Sequence, residues 1–182
     1  YRATVTAGGA RETREFRILP DPRLKLTAED YARQLDLMLA MRASLDAIYD
    51  GVRACRSVRD QARAAVARLK EAGANVAALE TAAGELSGRL TAIENELMQT
   101  KNEADQDVEN FPTKLDNQLA YVYGLVGETD ARPTDGQVER YADIKKELDP
   151  VLERLRRVVA EDVAAFNRTA TAAGAAPIIP PK

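Results

Sequence analysis

Residues 73–97 read GANVAALETAAGELSGRLTAIENEL, and the spacing of their apolar residues decides the fold class. These residues recur in alternating steps of three and four over three heptads, at Val76, Leu79, Ala83, Leu86, Leu90, Ile93 and Leu97. Such a repeat places one apolar stripe along a helix and is typical of helices that pack lengthwise on a second helix. We therefore expect a helix from about 76 to 100 within a coiled-coil-like hairpin.

The first arm of that hairpin precedes residue 73. Thr27 is followed by Asp30 at the third helical position, which is the capping-box pattern of a helix start. Apolar residues then step by three and four from position 38 to position 69, and Gly73 offers a stop. The pattern predicts a helix from about 28 to 72, with Gly51 as a weak point within it. The short link between two matching stripes predicts antiparallel packing.

Two later segments share one helix-start signal. FPTKLDNQL at 111–119 and RPTDGQVERY at 132–141 each place Pro before a Thr N-cap, with Asp116 or Gln137 three residues beyond it. They predict helices at about 114–126 and 135–173. Pro150 lies inside the second of these and predicts a kink, because proline lacks the amide hydrogen of a helical residue. The stripe of that helix is expected at Val138, Tyr141, Leu148, Leu152, Leu155, Val159, Val163 and Phe166.

In the first 23 residues the apolar positions recur with a different period, at every second residue. Tyr1, Ala3 and Val5 alternate with polar residues, as do Phe16 and Ile18 after a Gly-Gly link, which predicts a β-hairpin. An isolated hairpin is marginally stable, so these strands need a partner. Since no initiator Met precedes them, we expect the C-terminal part of a longer polypeptide, cut inside a β-domain. A mature N-terminus left by a protease is the alternative.

The sequence thus divides into three parts. The predicted fold is mainly α: an elongated antiparallel helical bundle at 24–174 with a long coiled-coil-like hairpin, preceded by the β-hairpin at 1–23. Residues 175–182 are rich in proline, and we expect an extended tail that Ile178 and Ile179 fasten to the bundle.

Composition excludes several function classes. A formal net charge of −3 and a pI near 5.2 argue against nucleic-acid binding, and no run of 18 apolar residues offers a membrane span. The absence of His removes Ser-His and Cys-His nucleophiles and His-ligated metals. Cys55, the single cysteine, falls on the apolar stripe and is expected in the core.

No residue pattern demands catalysis, so we assign no catalytic, cofactor-binding or metal-binding residue. Arg53, Arg56, Arg59 and Arg63 form a basic band. The band is either a solvated face with helix partners such as Asp60 or a docking surface for an acidic partner. Tyr121, Tyr123 and Tyr141 suggest either a ligand groove or packing between helices. Asp105, Asp107 and Glu109 have calcium-loop spacing, but the required Gly and distal Glu are missing, which favours a solvated connector.

Four segments together carry a family resemblance: FRILPDPR at 16–23, FPTKLDNQLAYVYG at 111–124, DARPTDGQVERYADIKKELDPVLERL at 130–155 and FNRTATAAGAAPII at 166–179. The chain resembles the C-terminal region of bacterial sortilin-like proteins with BNR (Asp-box) repeats, often labelled glycosyl hydrolases. In that family β-propellers and a small sandwich-like segment precede the helical region. The resemblance implies that residues 1–19 end the sandwich and that the protein is periplasmic or extracellular. It transfers no catalytic residue, because the hydrolase label belongs to the propellers.

These observations favour a non-catalytic helical interaction or scaffold module at the C-terminus of a larger exported β-propeller protein. Its apolar stripes would serve docking, spacing or oligomerisation, and its partners would be the preceding propeller and sandwich domains or other protein subunits. One alternative is a subunit that pairs its strands with another chain. The other is a His-free all-helical enzyme, similar in style to chorismate mutases, which would need several Arg side chains directed into the bundle.

Overall fold

The computed structural model describes residues 1–104 and 106–181. A β-hairpin of β1 (Arg2–Ala7) and β2 (Ala10–Glu15) is followed by α1 (Ala28–Glu71), α2 (Ala77–Leu97), α3 (Asp107–Asn110), α4 (Leu115–Gly127) and α5 (Asp135–Arg157). A π-helical segment (Val158–Asp162) then leads directly into α6 (Val163–Ala172). The mainly α fold with an N-terminal hairpin is confirmed.

The hairpin of α1 and α2 is the longest feature of the bundle. At 1.5 Å per residue, the 44 residues of α1 span about 65 Å, and the helix continues unbroken through Gly51. Gly73 ends it with a φ of +75°. Its N–H donates to the Lys70 carbonyl at 3.0 Å, while Ala74 N–H donates to the Leu69 carbonyl at 3.0 Å, which is a Schellman cap. The cap reverses the chain so that α2 returns antiparallel along α1.

The predicted stripe of α2 is buried, with Ala83 at its half-buried margin. It packs against α1, while α4 lies on the N-terminal part of α1 and α5–α6 lie along α2. The largest fully buried side chains come from every long element: Met41, Ile48, Leu79, Leu90, Leu97, Leu119, Ile144, Leu148 and Phe166. The apolar stripes are therefore buried within the chain itself.

The last predicted helix is divided by the π segment. Its buried residues step by four, three and four from Ile144 to Leu155 and by three and four from Val163 to Ala170. The step between Leu155 and Val163 is eight residues, one more than a heptad. A π turn absorbs one extra residue and so keeps both stripes on the same side of the bundle. α5 itself remains α-helical across Pro150.

One residue of the apolar stripe predicted for the last helix is not buried. Val138 is 47% exposed, and the prediction omitted the buried residues Ile144, Val151 and Ala170. The fully buried part of the stripe therefore begins at Ile144, after the half-buried Tyr141, which is later than the sequence indicates.

The shared Pro-Thr signal proves correct at one site and wrong at the other. Thr134 caps α5, with Gln137 N–H donating to its hydroxyl at 3.2 Å and Thr134 N–H donating to the Gln137 side chain at 2.9 Å. The N-cap of α4 is Lys114 instead of Thr113, and no side chain among the described residues caps it. Asp116 therefore makes no capping box. It is half-buried, and burial raises the pKa of its carboxyl.

This difference predicts that the same substitution, Thr to Ala, destabilises the protein at one Pro-Thr site and has little effect at the other. Thr134→Ala should lower the free energy of unfolding by about 1 kcal/mol, because the hydroxyl that accepts from the Gln137 N–H is lost. Thr113→Ala, its matched control, should change it by less than about 0.3 kcal/mol. Urea denaturation followed by circular dichroism measures both. Equal losses at the two sites would contradict the cap assignment.

The two ends of the chain differ in their relation to the bundle core. Residues 1–20 are exposed throughout, and the strands pair in antiparallel register from Arg2 opposite Glu15 to Ala7 opposite Ala10. At the other end Ile178 is buried, and its backbone exchanges hydrogen bonds of 2.8 and 3.0 Å with the Asn167 side-chain amide. The expectation for Ile179 was wrong, since its side chain is 73% exposed. Its backbone is held by the Gln61 amide at 2.8 and 2.9 Å.

Candidate functional site

The four arginines of the predicted basic band separate into two kinds. Arg56 donates from Nε to Glu94 Oε1 at 2.6 Å, and Arg59 pairs with the other carboxylate oxygen while donating to Thr91 Oγ1 at 2.8 Å. The Glu94 side chain is 4% exposed. Glu94 is thus a buried carboxylate on α2 held by two arginines of α1. This cluster of three charges links α1 to α2 across the helical hairpin.

Arg53 and Arg63 instead pair with Asp50 and Asp60, each one turn earlier on α1. Both arginine side chains are mostly exposed, at 69% and 76%. Exposed pairs of this type contribute between zero and about 1 kcal/mol, so the guanidinium groups remain free to exchange partners. The pairing with Asp60 agrees with the solvated-face interpretation, whereas the docking interpretation stays a prediction.

A groove between α1 and the α5–π segment adds residues that the sequence analysis missed. Its volume is about 820 Å³. Arg53 and Arg56 line one side, and Arg156 lines the other. The apolar lining comes from Ala47, Gly51, Ala54, Leu152, Leu155, Val159 and Ala160. We refer to it as the α1–α5 groove. The run of Arg154, Arg156 and Arg157 at the end of α5 was the sequence signal that could have indicated it.

The lining of the α1–α5 groove carries an excess of positive charge. Three arginines face one carboxylate, that of Asp50, although the whole chain has a formal charge of −3. Arg156 also donates to Glu153 at 3.0 and 2.6 Å along the exposed side of α5. Since Glu94 is shared by two arginines, the positive charge on this side of the bundle is only partly neutralised. The groove thus combines an apolar floor with a cationic rim.

The three tyrosines occupy different environments. The Tyr141 hydroxyl donates to the Ala40 carbonyl at 2.9 Å and lies 3.0 Å from the Ser44 hydroxyl, which ties α5 to α1. Tyr121 is 68% exposed, and Tyr123 is half-buried on α4. The geometry of Tyr141 agrees with the packing interpretation.

Two buried side chains of α1 have different surroundings. The Gln34 amide donates to the carbonyls of Val126 and Thr129 at 2.7 and 2.8 Å, which joins α1 to the end of α4. Cys55 lies in the core, as predicted, and burial raises the pKa of its thiol to about 11. A thiol with such a pKa is almost fully protonated at neutral pH and is a poor nucleophile.

The structure describes part of the suggested calcium loop. Asp105 lies outside the described residues. Asp107 begins the single turn α3, where its carboxylate accepts from Glu103 and Ala104 N–H at 2.7 and 2.9 Å. These backbone donors lower the pKa of Asp107. Within residues 1–104 and 106–181, no three His, Cys, Asp or Glu side chains are grouped so as to hold a metal ion.

The β-hairpin presents the largest set of exposed apolar side chains near one another in sequence: Tyr1, Val5, Phe16, Ile18 and Leu19. The rings of Tyr1 and Phe16 stack with centroids 5.8 Å apart. Tyr1 N donates to the Phe16 carbonyl at 2.8 Å, and Phe16 N–H donates back at 3.0 Å. Because hydrogen-bonded and non-bonded pairs alternate in an antiparallel ladder, the N–H groups of Arg2, Thr4 and Thr6 point away from β2. That edge is open to a further strand.

Comparisons with protein-family models, curated proteins and solved structures find no match to this chain. In the described part of the chain, no helix has both the length and the apolar character needed to cross a bilayer. The candidate surfaces therefore rest on geometry and charge alone. They are the open β-hairpin and the α1–α5 groove.

Proposed function

We propose that this chain is a non-catalytic helical scaffold that docks through its β-hairpin onto a β-rich domain. In the arrangement that the sequence resemblance implies, that domain is the sandwich or propeller part of a larger exported protein of the sortilin-like, BNR-repeat type. The helical bundle would then act as a rigid spacer at the end of the polypeptide.

One observation carries this proposal: the hairpin is exposed from residue 1 to residue 20 while the bundle buries its own stripes. Two strands bury too little apolar surface to offset their conformational entropy, so a lone hairpin is marginally stable. Val5 and Ile18 are 67% and 69% exposed, respectively. Covering such side chains contributes roughly 25 cal/mol for each Å² of apolar surface removed from water. A neighbouring sheet would supply both this burial and the missing backbone partners.

Residues 21–30, which connect the β-hairpin to α1, are held by local hydrogen bonds. Asp21 accepts from the Arg23 backbone N–H at 2.9 Å and from its guanidinium at 2.6 Å, and Leu24 N–H donates to the Asp21 carbonyl at 3.0 Å. The Arg23 contacts hold the pKa of the Asp21 carboxyl below its ordinary value. Six residues later, Thr27 and Asp30 form the capping box of α1. A turn and a cap in close succession would orient a docked β-domain relative to the long helix.

Hydrogen exchange tests the proposal in the polypeptide encoded by the whole gene. The outward N–H groups of Arg2, Thr4 and Thr6 should exchange rapidly in the 182-residue chain. In the longer polypeptide they should exchange at least 100-fold more slowly, since a neighbouring strand would accept their hydrogen bonds. Mass spectrometry of peptides from residues 1–20 measures the difference, and core peptides of α1 serve as the unchanged reference. Equal exchange of the hairpin in both proteins would refute the proposal.

The same open edge also suits a strand from a separate chain. In that arrangement the 182-residue chain would self-associate or recruit a subunit through β1. Light scattering of the longer polypeptide distinguishes the two arrangements. Protection of the hairpin in a monomer supports docking within one polypeptide, whereas protection that requires an oligomer supports pairing between chains.

A further inference from the structure

The α1–α5 groove is long enough to accommodate a short helix. Along α1 its lining runs from Ala47 to Ser57, which is about 15 Å at 1.5 Å per residue. Ala47, Gly51 and Ala54 follow one another at steps of four and three, so this side of the groove has short side chains. Leu152 and Leu155 of α5 form the opposite wall. About ten residues of helix can lie along such a groove with apolar side chains directed inward.

The π segment shapes the same groove. It contributes Val159 and Ala160 to the lining, at the point where one extra residue is accommodated between α5 and α6. π turns inside α-helices occur frequently at functional sites, because they widen the helix locally and redirect side chains. Pro181 of the C-terminal tail also lines the groove.

The positive charge at the rim of the α1–α5 groove favours an acidic binding partner. Arg53, Arg56 and Arg156 surround the apolar floor, and Asp50 is the one carboxylate among the lining residues that the structure describes. Their guanidinium side chains are 54% to 69% exposed, so an incoming carboxylate can reach them without the cost of desolvating a buried charge. Arginine forks bind carboxylates through paired hydrogen bonds. A helix with acidic residues beside its apolar face complements this rim, whereas a basic helix would be repelled.

From these features we propose that the α1–α5 groove binds an acidic amphipathic helix of a partner protein. Leucine-like side chains of that helix would lie over the half-buried Ala47 and Ala54, and its Glu or Asp residues would pair with Arg53 and Arg156. This site is separate from the β-hairpin, and it does not depend on the docking proposed above. The hairpin experiment and the groove experiment can therefore fail independently.

The probe is a 16-residue acetylated and amidated helical peptide with Leu at positions spaced by three and four and Glu at the flanking positions. We expect saturable 1:1 binding to the 182-residue chain, measured by fluorescence anisotropy. A matched peptide with every Glu replaced by Lys should bind at least tenfold more weakly. Amide chemical-shift changes should concentrate on residues 47–57 and 152–160. Binding should weaken as salt is raised from 50 to 500 mM, since exposed charges are screened.

Two arginine variants test whether the acidic peptide binds in the α1–α5 groove. The double variant Arg53→Glu with Arg156→Glu should weaken binding of the acidic peptide at least tenfold. Arg63→Glu is the matched control, because Arg63 is an exposed arginine on α1 with the same one-turn Asp partner but outside the groove lining. It should change affinity less than twofold. Circular dichroism melts verify that all variants remain folded.

Several results would overturn the proposal. They are absence of saturable binding, equal binding of the Lys peptide, or equal weakening by Arg63→Glu. Displacement of the peptide by a DNA oligonucleotide would make the groove a general polyanion site and would also contradict it. A dimer of this chain that covers residues 47–57 in solution would identify a second copy as the occupant instead.

Discussion

Glu94→Ala should destabilise the bundle by about 3 kcal/mol, the first of the two largest effects that we expect from a single substitution. The Glu94 carboxylate is 4% exposed and holds Arg56 and Arg59 against α2. Removing it leaves Arg59, whose side chain is 16% exposed, without its ionic partner at the interface of α1 and α2. Breaking one partner of a buried ion pair typically costs 3–5 kcal/mol, and the half-exposed position of Arg56 places this case at the lower end. Urea denaturation measures the change.

Glu96→Ala is the matched control two residues along the same helix. Glu96 pairs with Arg154 at 2.6 Å, but both side chains are nearly half exposed. Such a pair contributes between zero and about 1 kcal/mol, so we expect a loss below about 0.5 kcal/mol. A loss at Glu96 as large as that at Glu94 would show that the loss is common to the glutamates of this helix and is not specific to the buried charge cluster. Glu94→Gln should give an intermediate loss, since an amide oxygen can still accept from one arginine.

The helical architecture follows from local signals in the sequence. The heptad stripe of α2, the Thr27 capping box and the Gly73 stop each predict a feature that depends on neighbouring residues alone, and each is found in the structure. The prediction of a cap at Thr113 was wrong, because it also rested on neighbouring residues alone. The start of α4 is set by packing and by the chain that leads into it, and a Pro-Thr pair does not contain that information.

The candidate surfaces were less predictable, because they depend on contacts between distant residues. Arg53 and Arg56 were identified on α1, but their separation from Arg59 and Arg63 follows from where Glu94 of α2 lies. Arg156 lines the same groove, although it lies 100 positions after Arg56 in the sequence. One sequence signal was present and was not used: the eight-residue step between Leu155 and Val163, which a π turn accommodates.

Phe166→Ala should destabilise the bundle by about 4 kcal/mol, because it removes the largest fully buried side chain of the protein's described residues. Phe166 belongs to α6, which packs on α2, and its inward position depends on the extra residue in the π segment. Without that residue the stripe of α6 would be rotated by about 100° relative to that of α5. Loss of the ring leaves a cavity between α6 and α2 that neighbouring side chains fill only in part. The free energy from urea denaturation tests the expectation.

Phe16→Ala makes the same chemical change in the β-hairpin. Phe16 is 48% exposed and stacks on Tyr1, outside the core cluster of the bundle. The free energy of unfolding of the helical part should therefore change by less than about 0.5 kcal/mol in the 182-residue chain. If the hairpin docks on a β-domain, the same substitution should weaken that interface in the longer polypeptide and restore rapid exchange at Arg2, Thr4 and Thr6. A large destabilisation of the isolated bundle by Phe16→Ala would show that the hairpin packs on its own helices, and the docking surface would then have to be sought elsewhere.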